Sequence, residues 1–140
     1  MKTPIVIDTS VFISALIGPT GASRLLIRQC LEQQYLPLMG NTLFLEYESV
    51  SKQDRILELC PLTQNEINTL FQAFMSVSKW IPIYYNWRPN LKAEGDNHLI
   101  ELAIAGNAKM IATHNIKDFQ NAELLFPDLQ ILKPEAIIRE

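Results

Sequence analysis

Short apolar runs rich in β-branched residues alternate along the chain with longer stretches in which apolar residues recur at helical spacing. The apolar runs predict strands at residues 4–8, 35–39, 81–85, 109–113 and 129–132. The stretches between and after them predict helices at residues 9–16, 22–33, 42–51, 63–79, 97–106, 121–125 and 134–138. The sequence shows no repeat, linker or low-complexity segment, which indicates a single domain over residues 1–140.

This order of elements predicts an α/β fold of three layers, in which helices cover both faces of a mainly parallel sheet of four or five strands. The helix at 63–79 has the clearest signal, because Thr63 and Glu66 form a capping-box pattern. Apolar residues follow it at helical spacing: Ile67, Leu70, Phe71, Phe74 and Met75. In parallel sheets the working crevice lies beyond the carboxyl ends of the strands, so acids at that edge are the first candidates for chemistry.

Composition narrows the class of protein. With 140 residues, 48% of them hydrophobic, the chain can bury the core of one domain. No apolar run approaches the roughly 18 residues of a membrane span, and we expect a soluble cytoplasmic protein without a membrane partner. Cys30 and Cys60 lack the spacing of a zinc site or a disulfide framework. A net charge of −3 disfavours tight nucleic-acid binding by charge neutralisation alone, but it is compatible with an enzyme whose positive charge comes from a metal ion.

Three aspartates, Asp8, Asp96 and Asp118, lie at predicted strand-to-helix junctions on one edge of the sheet. Each has a structural interpretation, since aspartate is a favoured helix cap and turn residue. Thr9 and Ser10 follow Asp8, and either share the capping or orient the carboxylate and metal-bound waters. Their common edge favours a functional interpretation over three independent caps.

Polar residues next to these acids extend the predicted site. Asn97 follows Asp96 directly, and Thr113 and Asn115 lie in the loop that precedes Asp118. Their oxygen atoms could bind a cation or hold its ligands in place. Turn formation is the ordinary alternative for Asn115.

Glu46 lies on the predicted helix 42–51, on the same stripe as Leu43 and Val50. Glu48 lies about 200° away from it at ~100° per residue, and is expected to face solvent. A carboxylate among apolar neighbours costs several kcal/mol or becomes protonated. Glu46 therefore either lies at the edge of the stripe, pairs with a cationic side chain, or binds a cation.

A group of carboxylates without cysteine or histidine ligands suits a hard cation, Mg²⁺ or Mn²⁺. Such a site usually keeps several waters and meets a phosphate-bearing substrate. The expected chemistry is metal-assisted hydrolysis of a phosphodiester bond. A phosphatase with an aspartyl nucleophile is disfavoured, because Ser10 stands where its second aspartate is needed.

Three segments, IVIDTSVFISAL, LFLEYESV and GDNHLIELAIAGNAKMIATHNIKDF, together resemble the PIN-domain family of metal-dependent nucleases, and most closely its VapC-like toxins of toxin–antitoxin pairs. The resemblance runs in order over essentially the whole chain. It implies that Asp8, Glu46 and Asp96 are the core metal-binding acids. It also implies cleavage of single-stranded RNA to a 5′-phosphate and a 3′-hydroxyl, frequent homodimers, and a small antitoxin that inserts into a groove.

The resemblance assigns roles to residues and shows one departure. Asp8 and Asp96 would coordinate the ion, Glu46 would be a ligand or a water-orienting base, and Thr9, Ser10 or Thr113 would orient waters. Many family members have aspartate at the position of Asn115 and glycine at that of His114. Either Asp118 supplies the missing carboxylate, or Asn115 is a neutral ligand.

Substrate binding has only scattered cations to draw on, since the chain has no basic stripe. The candidates are Arg24, Arg28, Arg88 and Lys92, for each of which a solvated surface charge is the alternative. An alternative for the whole chain is a PIN-fold module that binds nucleic acid or a partner with little or no turnover. Asn115 favours that alternative, and the three core acids oppose it.

Overall fold

The computed structural model describes residues 2–18, 21–82, 97–119 and 126–138. Its sheet has five strands, all parallel, in the order β3-β2-β1-β4-β5. They are β1 (Thr3–Ile7), β2 (Tyr35–Met39), β3 (Lys79–Trp80), β4 (Met110–Ala112) and β5 (Gln130–Leu132). The predicted parallel sheet is confirmed, and β1 lies at its centre.

Seven α-helices flank the sheet in the described part of the chain, which confirms the predicted three-layer arrangement. They are α1 (Thr9–Ile17), α2 (Ala22–Leu31), α3 (Asn41–Ser51), α4 (Asp54–Leu59), α5 (Gln64–Val77), α6 (Asn97–Ala105) and α7 (Pro134–Ile138). A 3₁₀ turn covers Ile116–Phe119. The helix predicted at 121–125 lies outside the described residues, as do residues 83–85 of the third predicted strand.

Two predicted boundaries were wrong near the third strand. The capping box of α5 is present, with Glu66 N donating to Thr63 Oγ1 at 3.2 Å and Thr63 N donating to Glu66 Oε1 at 2.9 Å. However, α5 ends at Val77 because Ser78 adopts an extended backbone, with ψ at 147°, and β3 follows at once. Ile81, where the strand was predicted to begin, still donates its N–H to Met39 O at 2.8 Å.

Helix α4 was not predicted. It has only six residues, too few for an apolar period to show, and Ile56 is its buried residue. Gln53 and Cys60 flank it with extended backbone conformations.

In the described ranges no single helix is long and apolar enough to cross a membrane, and α1 and α2 reach that length and composition only as a bent pair.

An aromatic cluster fixes three helices against one another. Phe12 of α1 stacks on Tyr47 of α3 with ring centroids 4.6 Å apart, and Tyr47 stacks on Phe74 of α5 at 5.9 Å. All three rings are fully buried. Large buried rings dominate the energetics of a core, so this cluster determines how α1 and α3 present their polar residues.

Gly106 marks a close approach between α6 and the sheet. A Cβ there would collide with Leu38 Cδ1 and lie 3.3 Å from the backbone oxygen of Leu102. Leu38 is buried and has little room to move.

We expect Gly106→Ala to lower the free energy of unfolding by about 1–3 kcal/mol through overpacking, as measured by urea denaturation. Gly18→Ala, whose new Cβ makes an ordinary contact at 3.4 Å, is the control. Equal midpoints for the two variants would contradict the prediction.

Candidate active site

Asp8 stands at the carboxyl end of the central strand. Ile5, Val6 and Ile7 before it are buried, which fixes the strand and carries Asp8 to the edge of the sheet. Asp8 occupies the N-cap position of α1, yet its side chain makes no capping hydrogen bond. The residue is only 4% exposed, so its carboxylate needs other polar partners.

Two hydroxyls hold that carboxylate. Thr113 Oγ1 donates to Asp8 Oδ2 at 2.7 Å, and Ser10 Oγ donates to the same oxygen at 3.0 Å. The N–H of Asn115 donates to Thr113 Oγ1 at 3.0 Å, so the Thr113 hydroxyl hydrogen is left for Asp8. The predicted association of Asp8 with Ser10 and Thr113 is therefore present as a hydrogen-bonded group.

The sheet itself brings Asp8 and Thr113 together. Ile7 of β1 is paired with Ala112 of β4, and Asp8 N donates to Ala112 O at 2.9 Å just beyond this pair. Thr113 in turn donates its N–H to Leu132 O at 3.0 Å. Three neighbouring strands thus fix the two residues at one edge, as expected for a parallel sheet.

Glu46 extends the site from α3. Thr9 Oγ1 donates to Glu46 Oε1 at 2.7 Å, and His98 Nε2 lies 2.8 Å from Glu46 Oε2. Since a carboxylate can only accept, Nε2 carries the proton of this bond. The hydrogen bond from His98 is the main cause that lowers the pKa of Glu46; burial raises it, and the bond from Thr9 lowers it.

The expectation that Glu46 lies among apolar neighbours was wrong. The buried stripe of α3 is Leu43, Tyr47 and Ser51, and Glu46 lies beside it with its side chain 41% exposed. The helix is rotated relative to the predicted stripe because the large ring of Tyr47 takes the inward position. Glu46 is at the edge of the stripe and is satisfied by polar partners, one of the alternatives that the sequence left open.

Tyr47 contacts the end of β1, next to Asp8. It is completely buried, and this burial raises the pKa of its hydroxyl well above the usual value. The protonated hydroxyl donates to Ile7 O at 2.6 Å, directly before Asp8. Tyr47 therefore links the aromatic cluster to the end of β1.

We expect Tyr47→Phe to lower the free energy of unfolding by about 1–2 kcal/mol, because the ring stays packed while the Ile7 carbonyl loses a buried donor. Thermal or urea unfolding measures the change. Ser76→Ala removes a hydroxyl-to-carbonyl bond of the same length, 2.6 Å, at an exposed site on α5, and should have little effect. A Tyr47→Phe protein as stable as the wild type would contradict this account.

Other predicted residues are only partly described. Asp96, Arg88 and Lys92 lie outside the described residues. Asn97 begins α6 and Asp118 lies in the 3₁₀ turn. Asn115 is exposed beyond β4. Among the described residues no group of three or more His, Cys, Asp or Glu could hold a metal ion.

The two described arginines on the predicted substrate side are in α2. The Arg24 guanidinium donates to Ala15 O at 2.7 Å and to Leu16 O at 3.3 Å, at the carboxyl end of α1 where a positive charge is favoured. Arg28 is exposed. Both line a cavity of about 580 Å³ between α2 and α5. Their contact with a substrate stays a prediction.

The two histidines, His98 and His114, were not among the predicted site residues. Besides His98 on Glu46, His114 Nε2 lies 3.0 Å from Ser23 Oγ, and His114 N donates to Ser10 Oγ at 3.3 Å. His114 therefore ties the loop after β4 to α1 and α2. The available signal was position: His98 lies two residues after Asp96, and His114 follows Thr113.

The molecule therefore combines a parallel five-stranded sheet with an aspartate, Asp8, at the end of the central strand, where two hydroxyls bind its carboxylate. The family model of the PIN domain matches residues 4–117, and the chain belongs to that family. The match extends from β1 into the 3₁₀ turn, and so includes Asp8, Glu46 and Thr113. The sequence resemblance is thereby confirmed. No curated protein matches the sequence.

Two solved structures share the fold. VapBC-1 from nontypeable Haemophilus influenzae, at 2.2 Å resolution, aligns with a TM-score of 0.59 and 16% identity over 95% of this chain and 99% of that one. VapBC2 from Rickettsia felis, bound to a DNA fragment from their promoter, aligns with a TM-score of 0.54 and 15% identity, over 92% and 97%. The likeness establishes a common fold.

Proposed function

We propose that this chain is a metal-dependent endoribonuclease that hydrolyses RNA phosphodiester bonds, and that it is the toxin of a toxin–antitoxin pair. The observation that carries the proposal is the Asp8 carboxylate, which is buried at the carboxyl edge of the sheet and held by Thr113 and Ser10 instead of capping α1. A carboxylate fixed in this way is suited to bind a cation. Membership of the PIN-domain family supports the assignment.

The oxygen atoms at the proposed site are suitable ligands for Mg²⁺ or Mn²⁺. Both hydroxyls donate to Asp8 Oδ2, and Oδ1 receives no hydrogen bond from the residues described. That oxygen is available to a hard cation. Glu46 and Asp96 would supply the further carboxylates, and Asn115 or Asp118 would complete the ligand set.

Such an ion, when bound, activates water and stabilises the charge on the leaving oxygen. The chain's own residues supply ligands and orientation. Asp8 is held by two hydroxyls, and the hydrogen bond from His98 lowers the pKa of Glu46, which favours its charged form as a ligand or as a group that orients water. In-line attack on phosphorus would leave a 5′-phosphate and a 3′-hydroxyl, as the resemblance implies.

The proposed substrate is single-stranded RNA in the cytoplasm. Arg28, Arg88 and Lys92 are the candidate phosphate contacts, while Arg24 is engaged by carbonyls of α1. The likeness to two VapBC structures supports a cognate antitoxin as partner. A homodimer is proposed on the family resemblance.

A second candidate function is a PIN-fold binding module with little or no turnover. The observation that favours it is Asn115, a neutral residue beyond β4 where many family members carry a carboxylate. Loss of one carboxylate lowers the charge available to hold a second cation.

The test is cleavage of a pool of single-stranded and duplex RNA by purified protein that is free of antitoxin, with Mg²⁺, Mn²⁺ or EDTA. We expect single strands to be cut only with metal, and Asp8→Ala and Asp96→Asn to be inactive. A folded chain that is inactive in every metal would contradict the proposal and favour the binding module. Asn115→Asp would then be the variant to examine for recovered cleavage.

A further inference from the structure

The Glu46 carboxylate is held from two sides by two different helices. Thr9 of α1 donates to Oε1, and His98 of α6 donates to Oε2. Thr9 is the neighbour of Asp8, and His98 lies two residues after Asp96. The contacts of one side chain therefore connect all three segments that carry the core acids.

His98 is the better anchored member of its pair. Its side chain is 14% exposed, against 41% for Glu46. The next two residues of α6, Leu99 and Ile100, are completely buried and fix the first turn of the helix against the core. A partly exposed glutamate has several rotamers, and a donor on a fixed helix selects one of them.

We propose that His98 is a positioning residue, which holds the Glu46 carboxylate in the orientation that the metal site and its substrate require. This inference rests on the proposed function and deepens it, since it concerns the same site. His98 acts through Glu46 and does not itself touch the reacting atoms. Its Nε2–H fixes one carboxylate oxygen, Thr9 fixes the other, and each oxygen keeps a lone pair for a cation or a water.

The alternative is that His98 only fastens α6 to α3. Glu46 is too exposed for that role to dominate, because a partly exposed hydrogen-bonded pair contributes little to stability. Buried apolar residues already anchor the two helices in the hydrophobic core: Leu43, Leu99, Ile100 and Ala103. The contact therefore matters more for orientation than for stability.

The experiment measures Mn²⁺ affinity by calorimetry on the full chain after removal of metal. We expect His98→Leu to weaken binding by about 10–100-fold, the usual effect of losing a partner of a ligand. His98→Gln should recover most of the affinity, because its amide nitrogen can reach the place of Nε2. Glu48→Gln, on the same helix as Glu46, is the matched control and should bind Mn²⁺ like the wild type.

A double-mutant cycle separates the two roles. In a Glu46→Gln background, His98→Leu should weaken Mn²⁺ binding no further, because the carboxylate through which His98 acts has already been removed. An undiminished effect there, or wild-type affinity in His98→Leu with a lower melting temperature of the metal-free protein, would overturn the inference. If His98→Leu does not fold, His98→Asn, whose amide is too short to reach the place of Nε2, takes its position in the same cycle. A wild-type chain that binds no Mn²⁺ would instead overturn the proposed function itself.

Discussion

Replacing Asp8 with asparagine is expected to lower metal-dependent RNA cleavage by about 10³-fold, since losing several kcal/mol of interaction with the ion costs about one decade of rate per 1.4 kcal/mol. The substitution keeps the size of the side chain and one acceptor oxygen for Thr113 and Ser10, but it removes the charge. The fold should therefore persist, as judged by circular dichroism and melting.

The matched control is Asp128→Asn. Asp128 is exposed and precedes β5, so it lies at the opposite, amino-terminal edge of the parallel sheet. Its loss should leave cleavage unchanged, as single-turnover kinetics on a defined single-stranded RNA would measure. Cleavage by Asp8→Asn within about tenfold of wild type would be incompatible with Asp8 as a ligand of the ion.

Thr113→Val should reduce cleavage by about 10–100-fold, the effect typical of losing a group that orients a ligand. Valine matches threonine in shape but cannot donate to Asp8 Oδ2 or accept from Asn115 N. Thr113 is completely buried, so the lost hydrogen bonds should also cost about 1–3 kcal/mol of unfolding free energy. Cleavage kinetics and urea denaturation measure the two effects separately.

Thr69→Val makes the same chemical change on the exposed face of α5, where Thr69 Oγ1 donates to Asn65 O at 2.9 Å, and should leave cleavage intact. If Thr113 acts through Asp8, Thr113→Val should add little to Asp8→Asn in the double variant. Independent, multiplying effects of the two substitutions would show that Thr113 serves catalysis by another route.

The strands β1 and β2 could be predicted from the sequence because each is a short run whose last three residues are buried, and burial on both faces leaves an unbroken apolar pattern. Strand β3 could not, since it has two exposed residues and its start is set by the extended backbone of Ser78. Helix α4 is too short to show a period. Length and two-sided burial therefore decided which elements could be predicted.

The sequence could predict which residues lie at the carboxyl edge of the sheet, but not which side chains form hydrogen bonds with them. The strand pattern placed Asp8 at the carboxyl edge, but the choice between capping and a functional role depended on Thr113, 105 residues away. For Glu46 the helical wheel gave a stripe that the structure corrects, and its donor His98 lies 52 residues away on another element. Contacts at such separations follow from the pairing of strands and the docking of helices, which local periodicity does not encode.

The link between Asp8 and Thr113 also has a consequence for the order of events during synthesis. Domains begin to fold while the chain emerges from the ribosome, N-terminal part first. The central strand β1 and Ser10 emerge first, but the second hydroxyl that holds Asp8, that of Thr113, belongs to the segment after β4, whose backbone is fixed in turn by Leu132 of β5. A nascent chain that carries Asp8, Glu46 and the whole aromatic cluster thus still lacks the hydrogen bond from Thr113 to Asp8. The site is completed only once β5 has emerged and can pair with β4.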